Sequence, residues 1–461
     1  MRNKFKVAVL TVAVSYMGLT AWGQAAPAHP ATTHPAAAHP ATAKKTAAHV
    51  QKVSAEGQQC LDCHTNTTPV IVEQWATSKH AKEGVDCYSC HKANAGDPAT
   101  FDHYGQKIAV IVTPKYCARC HTTEVDQYEH SRHARATQFI GSMDNVLGEI
   151  VEGAPAVQSE CRQCHGSVVK YLGNGKFDSA TWPNSGVGRV NPDGSTGSCA
   201  ACHGRHNFSV AQSREPDTCG KCHMGPDHPQ IEIYDESMHG VLYHANKDKM
   251  NLSSKSWVVG KDYSAAPTCD TCHMGATPTQ PVTHDTGTRL SWTLRPAIST
   301  RQDNWEKKRA DMQDVCLNCH ASGLVNNFYK QYDDTVNFYN EKYGIPTTAI
   351  MKQLSDAHKI TSTPFDTQIK WDYFELWHHE GRRARMGTSM MGPDYTQWHG
   401  FYLVAQDFYM HFIPDAEKLM PGVTKQVMDS PDNKWMKGLT PEQIKQEIEF
   451  YQKRYNQRDT Y

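Results

Sequence analysis

No cysteine in this 461-residue chain stands alone: all sixteen fall into Cys-x-x-Cys pairs, with none left over. Net charge is nearly absent as well, at a formal -1, which excludes a strong electrostatic preference for nucleic acid or an anionic membrane surface. Apolar residues make up 39%, fewer than a chain this long normally needs to build its own core. Beyond the first 25 residues no apolar run approaches the ~20 residues of a membrane-spanning helix. Whatever fills the interior must come partly from something other than aliphatic side chains.

The pairs are Cys60/Cys63, Cys87/Cys90, Cys117/Cys120, Cys161/Cys164, Cys199/Cys202, Cys219/Cys222, Cys269/Cys272 and Cys316/Cys319. A histidine follows each pair at once: His64, His91, His121, His165, His203, His223, His273 and His320. Cys-x-x-Cys-His is the attachment pattern of c-type heme. Two thiols three residues apart reach the two porphyrin vinyl groups, and the next residue presents an imidazole to the iron. Zinc ribbons need four ligands per metal and no following His. A thioredoxin-like motif occurs once, and eight disulfides would leave the histidines unexplained. The chain therefore reads as carrying eight hemes c, and these porphyrins supply the missing apolar surface.

Four regions are expected. Residues 1–25 read as a signal peptide, with Arg2, Lys4 and Lys6 ahead of a short apolar run and small residues at its end. Residues 26–52 are almost wholly Ala, Pro, His and Thr, the composition of a flexible linker. Residues 53–325 hold the motifs. Residues 326–461 form a helical domain that supplies distal ligands and oligomer contacts. Apolar residues at helical spacing predict helices over 324–343, 370–385 and 397–412. Thr440-Pro441-Glu442-Gln443 is a capping-box start for a last one. The fold class is mainly α with extensive loops, a heme array wrapped by loops and short helices, and long C-terminal helices. An exported protein in the periplasm or an equivalent compartment, with no integral membrane segment once the signal is cleaved, follows.

Electron-transfer hemes take a second axial His, whereas a catalytic heme leaves that position open. Of 26 histidines, eight follow a motif and four lie in the linker, leaving fourteen candidates. His80, His133 and His239 share a local Ser-x-His pattern and lead as distal ligands; His206, His284, His379 and His399 come next. The sixth motif runs directly into Met224-Gly225-Pro226-Asp227-His228-Pro229-Gln230. An Asp-His pair held between two prolines just past a heme suits proton removal from a small nitrogenous substrate. The same residues also suit a turn cap (Asp227) and a distal ligand (His228).

Eight motifs in this order, the Asp227-His228 stretch and Pro393-Asp394-Tyr395-Thr396-Gln397-Trp398-His399-Gly400 together resemble the octaheme hydroxylamine oxidoreductase family, which includes hydrazine dehydrogenases. The resemblance covers residues 55–415. It implies that the heme on Cys161, Cys164 and His165 is catalytic and the other seven are bis-His relays. It implies that Asp227 and His228 are the distal acid-base pair. A Tyr from a neighbouring subunit of a trimer, covalently joined to the catalytic porphyrin, corresponds best to Tyr395, with Tyr402 and Tyr409 as alternatives. The implied function is oxidation of hydroxylamine or hydrazine, with electrons passing to a soluble cytochrome c. Relatives without the crosslink run as nitrite or hydroxylamine reductases, and a non-enzymatic electron conduit is a third reading.

Overall fold

The computed structural model describes residues 52–94, 96–141 and 146–456. The expected signal peptide and all but the last residue of the expected linker lie outside the described residues. The motif-bearing part is built from short helices, turns and three two-stranded antiparallel hairpins. Several motifs are themselves single helical turns, as in Cys87–His91, Cys161–His165 and Cys269–His273. Positions i, i+3 and i+4 share one helix face, so one turn aims both thiols and the imidazole the same way. Capping boxes start two of these turns. Asp86 and Ser89 exchange side chain–backbone bonds, as do Thr268 and Thr271, satisfying donors that a one-turn helix would otherwise leave open.

After the last motif the chain changes character. Ser322–Tyr339 runs through a wide turn at Asn340–Gly344 into Ile345–Asp356. Gln368–Phe374 continues through Glu375–Glu380 into Gly381–Ser389, and two more wide turns (Gln397–Tyr402, Phe408–Phe412) lie in the stretch from Pro393 to Leu419. Pro346 and Pro414 each stand just past a wide turn, where a missing N–H and a bulky ring are tolerated. The wide turns also hold the apolar stripe in place. Val404, Phe408, Phe412 and Ala416, all fully buried, recur every four residues. That spacing overshoots the 3.6-residue α turn and undershoots the wider i→i+5 turn, so alternating the two keeps the stripe on one face. It packs against Tyr339, Ile350, Leu354, Ile369 and Leu376 to form the main hydrophobic core. The last helix, Pro441–Asn456, opens on the predicted reciprocal cap between Thr440 and Gln443.

Buried charge ties the two parts together. Asp333 on the Ser322–Tyr339 helix accepts from Arg309 and the indole of Trp292 and pairs with Arg301. Arg385 is fully buried, donates to the carbonyls of Gly381 and Pro296 and to Ser299 Oγ, and stacks over Tyr339. Both link the Trp292–Arg301 hairpin region to the C-terminal helices.

Candidate functional site

One continuous cavity of about 2460 Å³ runs through the motif-bearing part, and residues of all eight motifs line it. Around it imidazoles face one another. Ring centres are 6.2 Å apart for His64 and His103, 6.2 Å for His80 and His121, 6.0 Å for His133 and His223, and 6.0 Å for His239 and His320. Two metal–imidazole bonds of about 2 Å plus the two ring radii span roughly 6 Å, the separation for an iron held between them. His203 also senses His284, and His206 senses His91. Burial pushes His203 down to about 4 and His223 down to about 3, with neighbouring imidazoles adding to the shift. A neutral imidazole is the form that ligates metal. The outer nitrogens of two motif histidines are already oriented, His64 Nδ1 by Thr68 Oγ1 and His91 Nδ1 by the Ala109 carbonyl, both at 2.8 Å. The residues present fit heme c.

The Ser-x-His pattern has a local cause. Ser78, Ser131 and Ser237 are buried, and their hydroxyls accept from the backbone N–H of Ala81, Ala134 and Gly240. Each serine caps a short helical segment and sets the histidine two residues later in its first turn. His80, His133 and His239 thus reach their partners by one device. His103 has no such signature; it ends a strand, Thr100–His103, just before the tight turn of a hairpin. In the C-terminal helices, Trp377, His378, Arg382 and Met386 line the cavity. His379 turns away to Glu375, 2.5 Å from Nδ1, and His399 lies exposed against Asp394 at 2.6 Å.

Thiols of successive motifs approach one another and so trace a path. Cys60 lies within electrostatic range of Cys87, Cys90 of Cys117, Cys202 of Cys219, and Cys272 of Cys316. Cys117 and Cys199, Cys219 and Cys269, and Cys164 and Cys222 share side-chain hydrogen bonds. The spatial order is first, second, third, fifth, sixth, seventh, eighth, and the fourth motif branches from the sixth. Cys164 Sγ sits 3.9 Å from the Lys221 carbonyl, inside the sixth motif.

The Asp227-His228 loop springs from that junction. The Ile231 N–H donates to the His223 carbonyl at 3.0 Å, which closes the loop back on its own start. The His228 ring centre is 6.1 Å from that of His223, almost as near as His133. His228 reaches His223 from the same loop, and His133 reaches it from a separate segment of the chain. His228 lines the cavity, with Nε2 3.5 Å from Asp227 Oδ1; its Nδ1 is buried with no hydrogen-bond partner among the described residues. The second oxygen of Asp227 accepts from Arg382 at 3.0 Å. Nothing in the sequence pairs positions 227 and 382.

Tyr395 is half-buried, stacks on His399 with ring centres 5.0 Å apart, and is not among the residues that line the cavity. Burial raises its phenol, reinforced by Glu232 and Glu236. Its backbone is held tightly: a Cβ at Gly387 would meet Thr396 N at 2.5 Å, and one at Gly400 the Tyr395 carbonyl at 2.4 Å. No helix among the described residues is long and apolar enough to cross a membrane.

The sequence matches the family described as "Seven times multi-haem cytochrome CxxCH" over residues 188–361, and "Cytochrome c554 and c-prime" over 18–92 and 116–204. It is 27% identical over 254 residues to a probable nitrite reductase-hydroxylamine oxidoreductase fusion protein of Kuenenia stuttgartiensis. That match covers 47% of this chain and 25% of the relative, so the chain spans about a quarter of the length of the curated protein it matches. A solved hypothetical multiheme protein is similar at 27% identity and a TM-score of 0.71, over 81% of this chain and 97% of that one. A reducing HAO-like complex from Kuenenia stuttgartiensis shares the fold, at 19% identity and a TM-score of 0.57, over 81% of this chain and 87% of that one. The cavity, its facing imidazoles and these likenesses describe a multiheme c-type cytochrome that is similar to hydroxylamine oxidoreductase-like multiheme proteins.

Proposed function

We propose that the chain carries eight hemes c and oxidises hydroxylamine or hydrazine at the heme held by Cys161, Cys164 and His165. The observation that carries this reading is the Arg382–Asp227–His228 chain of contacts, with Arg382 and His228 lining the same cavity as Cys164 and His165 of the fourth motif. When bound, the heme supplies an iron with one open position for the substrate nitrogen and a sink for its electrons. The chain's part is proton handling and enclosure. His228 Nδ1 faces no competing partner and accepts a proton from the substrate nitrogen; Asp227 holds the ring by Nε2 and stabilises the cation that forms. The facing imidazoles of the other motifs hold relay hemes, and the thiol-to-thiol path gives electrons a route from the branch to a soluble cytochrome c. Tyr395 lies off the cavity of its own chain, which agrees with a crosslink made across the subunit boundary of a trimer in an exported protein.

The test is hydroxylamine- or hydrazine-dependent reduction of cytochrome c by the holoprotein. Asp227→Ala should lower the rate by about 100-fold or more; unchanged activity would remove the pair from the reaction. Reduction of nitrite or hydroxylamine is the second reading, and the likeness to a probable nitrite reductase-hydroxylamine oxidoreductase fusion protein favours it. Oxidation of reduced viologen on adding nitrite, with a free Tyr395 peptide by mass spectrometry, would establish that direction instead.

A further inference from the structure

Arg382 is the meeting point of the two parts of the chain at the site. It stands on the helix Gly381–Ser389, next to the wide turn that carries His378. Its Nε donates to the Arg295 carbonyl at 2.8 Å, and Nη1 donates to Asp227 Oδ2 at 3.0 Å. The guanidinium lies 5.1 Å from the Trp377 ring, and the side chain is 7% exposed. These three contacts fix the orientation of the guanidinium.

Asp227 is then divided: Oδ2 belongs to Arg382 and Oδ1 faces His228 Nε2. A carboxylate opposite Nε2 favours the proton on that nitrogen and leaves the lone pair on Nδ1, which is buried with no hydrogen-bond partner among the described residues. Within 224–229 the backbone is held by the Ile231–His223 closure, by Gly225 N donating to Glu232 Oε1 at 3.1 Å, and by the His228 and Pro229 carbonyls accepting from Gln230 and Ile233 N–H at 2.8 and 3.0 Å; these bonds fix the backbone and leave the Asp227 carboxylate to Arg382.

We infer that Arg382 is a positioning residue: by clamping one oxygen of Asp227 it orients His228, so that a C-terminal helix sets the base of a site otherwise built by the motif-bearing part. The inference rests on the reading that His228 takes a proton beside an open iron. A lysine has a single ammonium on a flexible stem and cannot hold the Arg295 carbonyl and Asp227 in the same fixed fork.

The experiment uses ferric holoprotein and its Arg382→Gln and Arg382→Lys variants, with hydrogen cyanide as a probe. Hydrogen cyanide must give up its proton to a base as the anion binds iron, so its association rate reports how well that base is placed, independently of turnover. Arg382→Gln should slow cyanide association and lower kcat by about 10- to 100-fold, with KM changed by about threefold or less. Arg382→Lys should fall between Gln and the wild type. Heme content should stay at the wild-type value while the thermal midpoint falls with loss of the buried pair, and if the Gln variant fails to fold, the Lys variant carries the comparison. Gln and Lys variants that bind cyanide within about twofold of the wild-type rate overturn the inference alone. A wild-type protein that binds no cyanide overturns the open-site reading, and the inference with it.

Discussion

The motif-bearing part and the C-terminal helices solve the same problem in opposite ways. Residues 53–325 enclose a cavity of about 2460 Å³, ringed by thiols and imidazoles, and keep only small apolar clusters such as the one around Tyr234, Tyr243 and Met250. The C-terminal helices bury a contiguous set of aliphatic and aromatic side chains from Tyr339 to Val423. One region has its interior made by a cofactor; the other makes its own. The low apolar fraction of the chain is thus an average over two unlike regions rather than a property of either.

The sharpest way to break the contrast is to withhold heme. Expressed without the machinery that attaches it, the protein should lose the structure of residues 53–325 altogether, while peptides from the Ser322–Leu419 helices survive proteolysis longest. Equal digestion of both parts would mean that the helical core depends on the cofactor too. Within that core, Phe408→Ala should cost about 3–5 kcal/mol of stability, measured by denaturant unfolding of the holoprotein, because Phe408 is fully buried.

A third change probes the seam between the regions. Asp333→Asn should cost about 2–3 kcal/mol, since it weakens charge-assisted bonds to Arg309 and Arg301. Burial alone would raise the Asp333 carboxyl, but the hydrogen bonds from Arg309, Arg301 and Trp292 outweigh it and hold the group below the usual carboxylate range. Its contribution is therefore complete above the unfolded carboxylate pKa of about 4 and fades as pH falls through the lower folded value. Wild-type stability should drop over that acid range more steeply than that of the Asn variant. At the small end, Lys445→Ala on the last helix removes an exposed pair with Glu449, 3.9 Å apart, and should shift stability by less than about 0.5 kcal/mol.

Much of this organisation is legible in the residues, for identifiable reasons. Cys-x-x-Cys-His is local and needs no partner elsewhere, and Ser-x-His works because a buried cap positions the next turn. The helices after residue 320 follow from apolar spacing. His103 is silent because a hairpin, not a capped helix, delivers it. The choice between the adjacent His378 and His379 turns on helix phase, and the wide turn at Glu375–Glu380 resets that phase in a way the 3.6-residue period does not encode. The Arg382–Asp227 bond joins residues 155 positions apart, and such a contact exists only once both parts have packed.

The crowding of thiols from different motifs bears on how the molecule is made. Cys117 reaches Cys199, Cys164 reaches Cys222, and Cys219 reaches Cys269. Folded before its thioethers form, the chain would bring together thiols that belong to different porphyrins, and under oxidising conditions such neighbours close into disulfides. Loading must therefore run ahead of folding. The chain has to be kept reduced and open, its motifs capped as they emerge, and the native fold becomes the last step of assembly rather than the template for it.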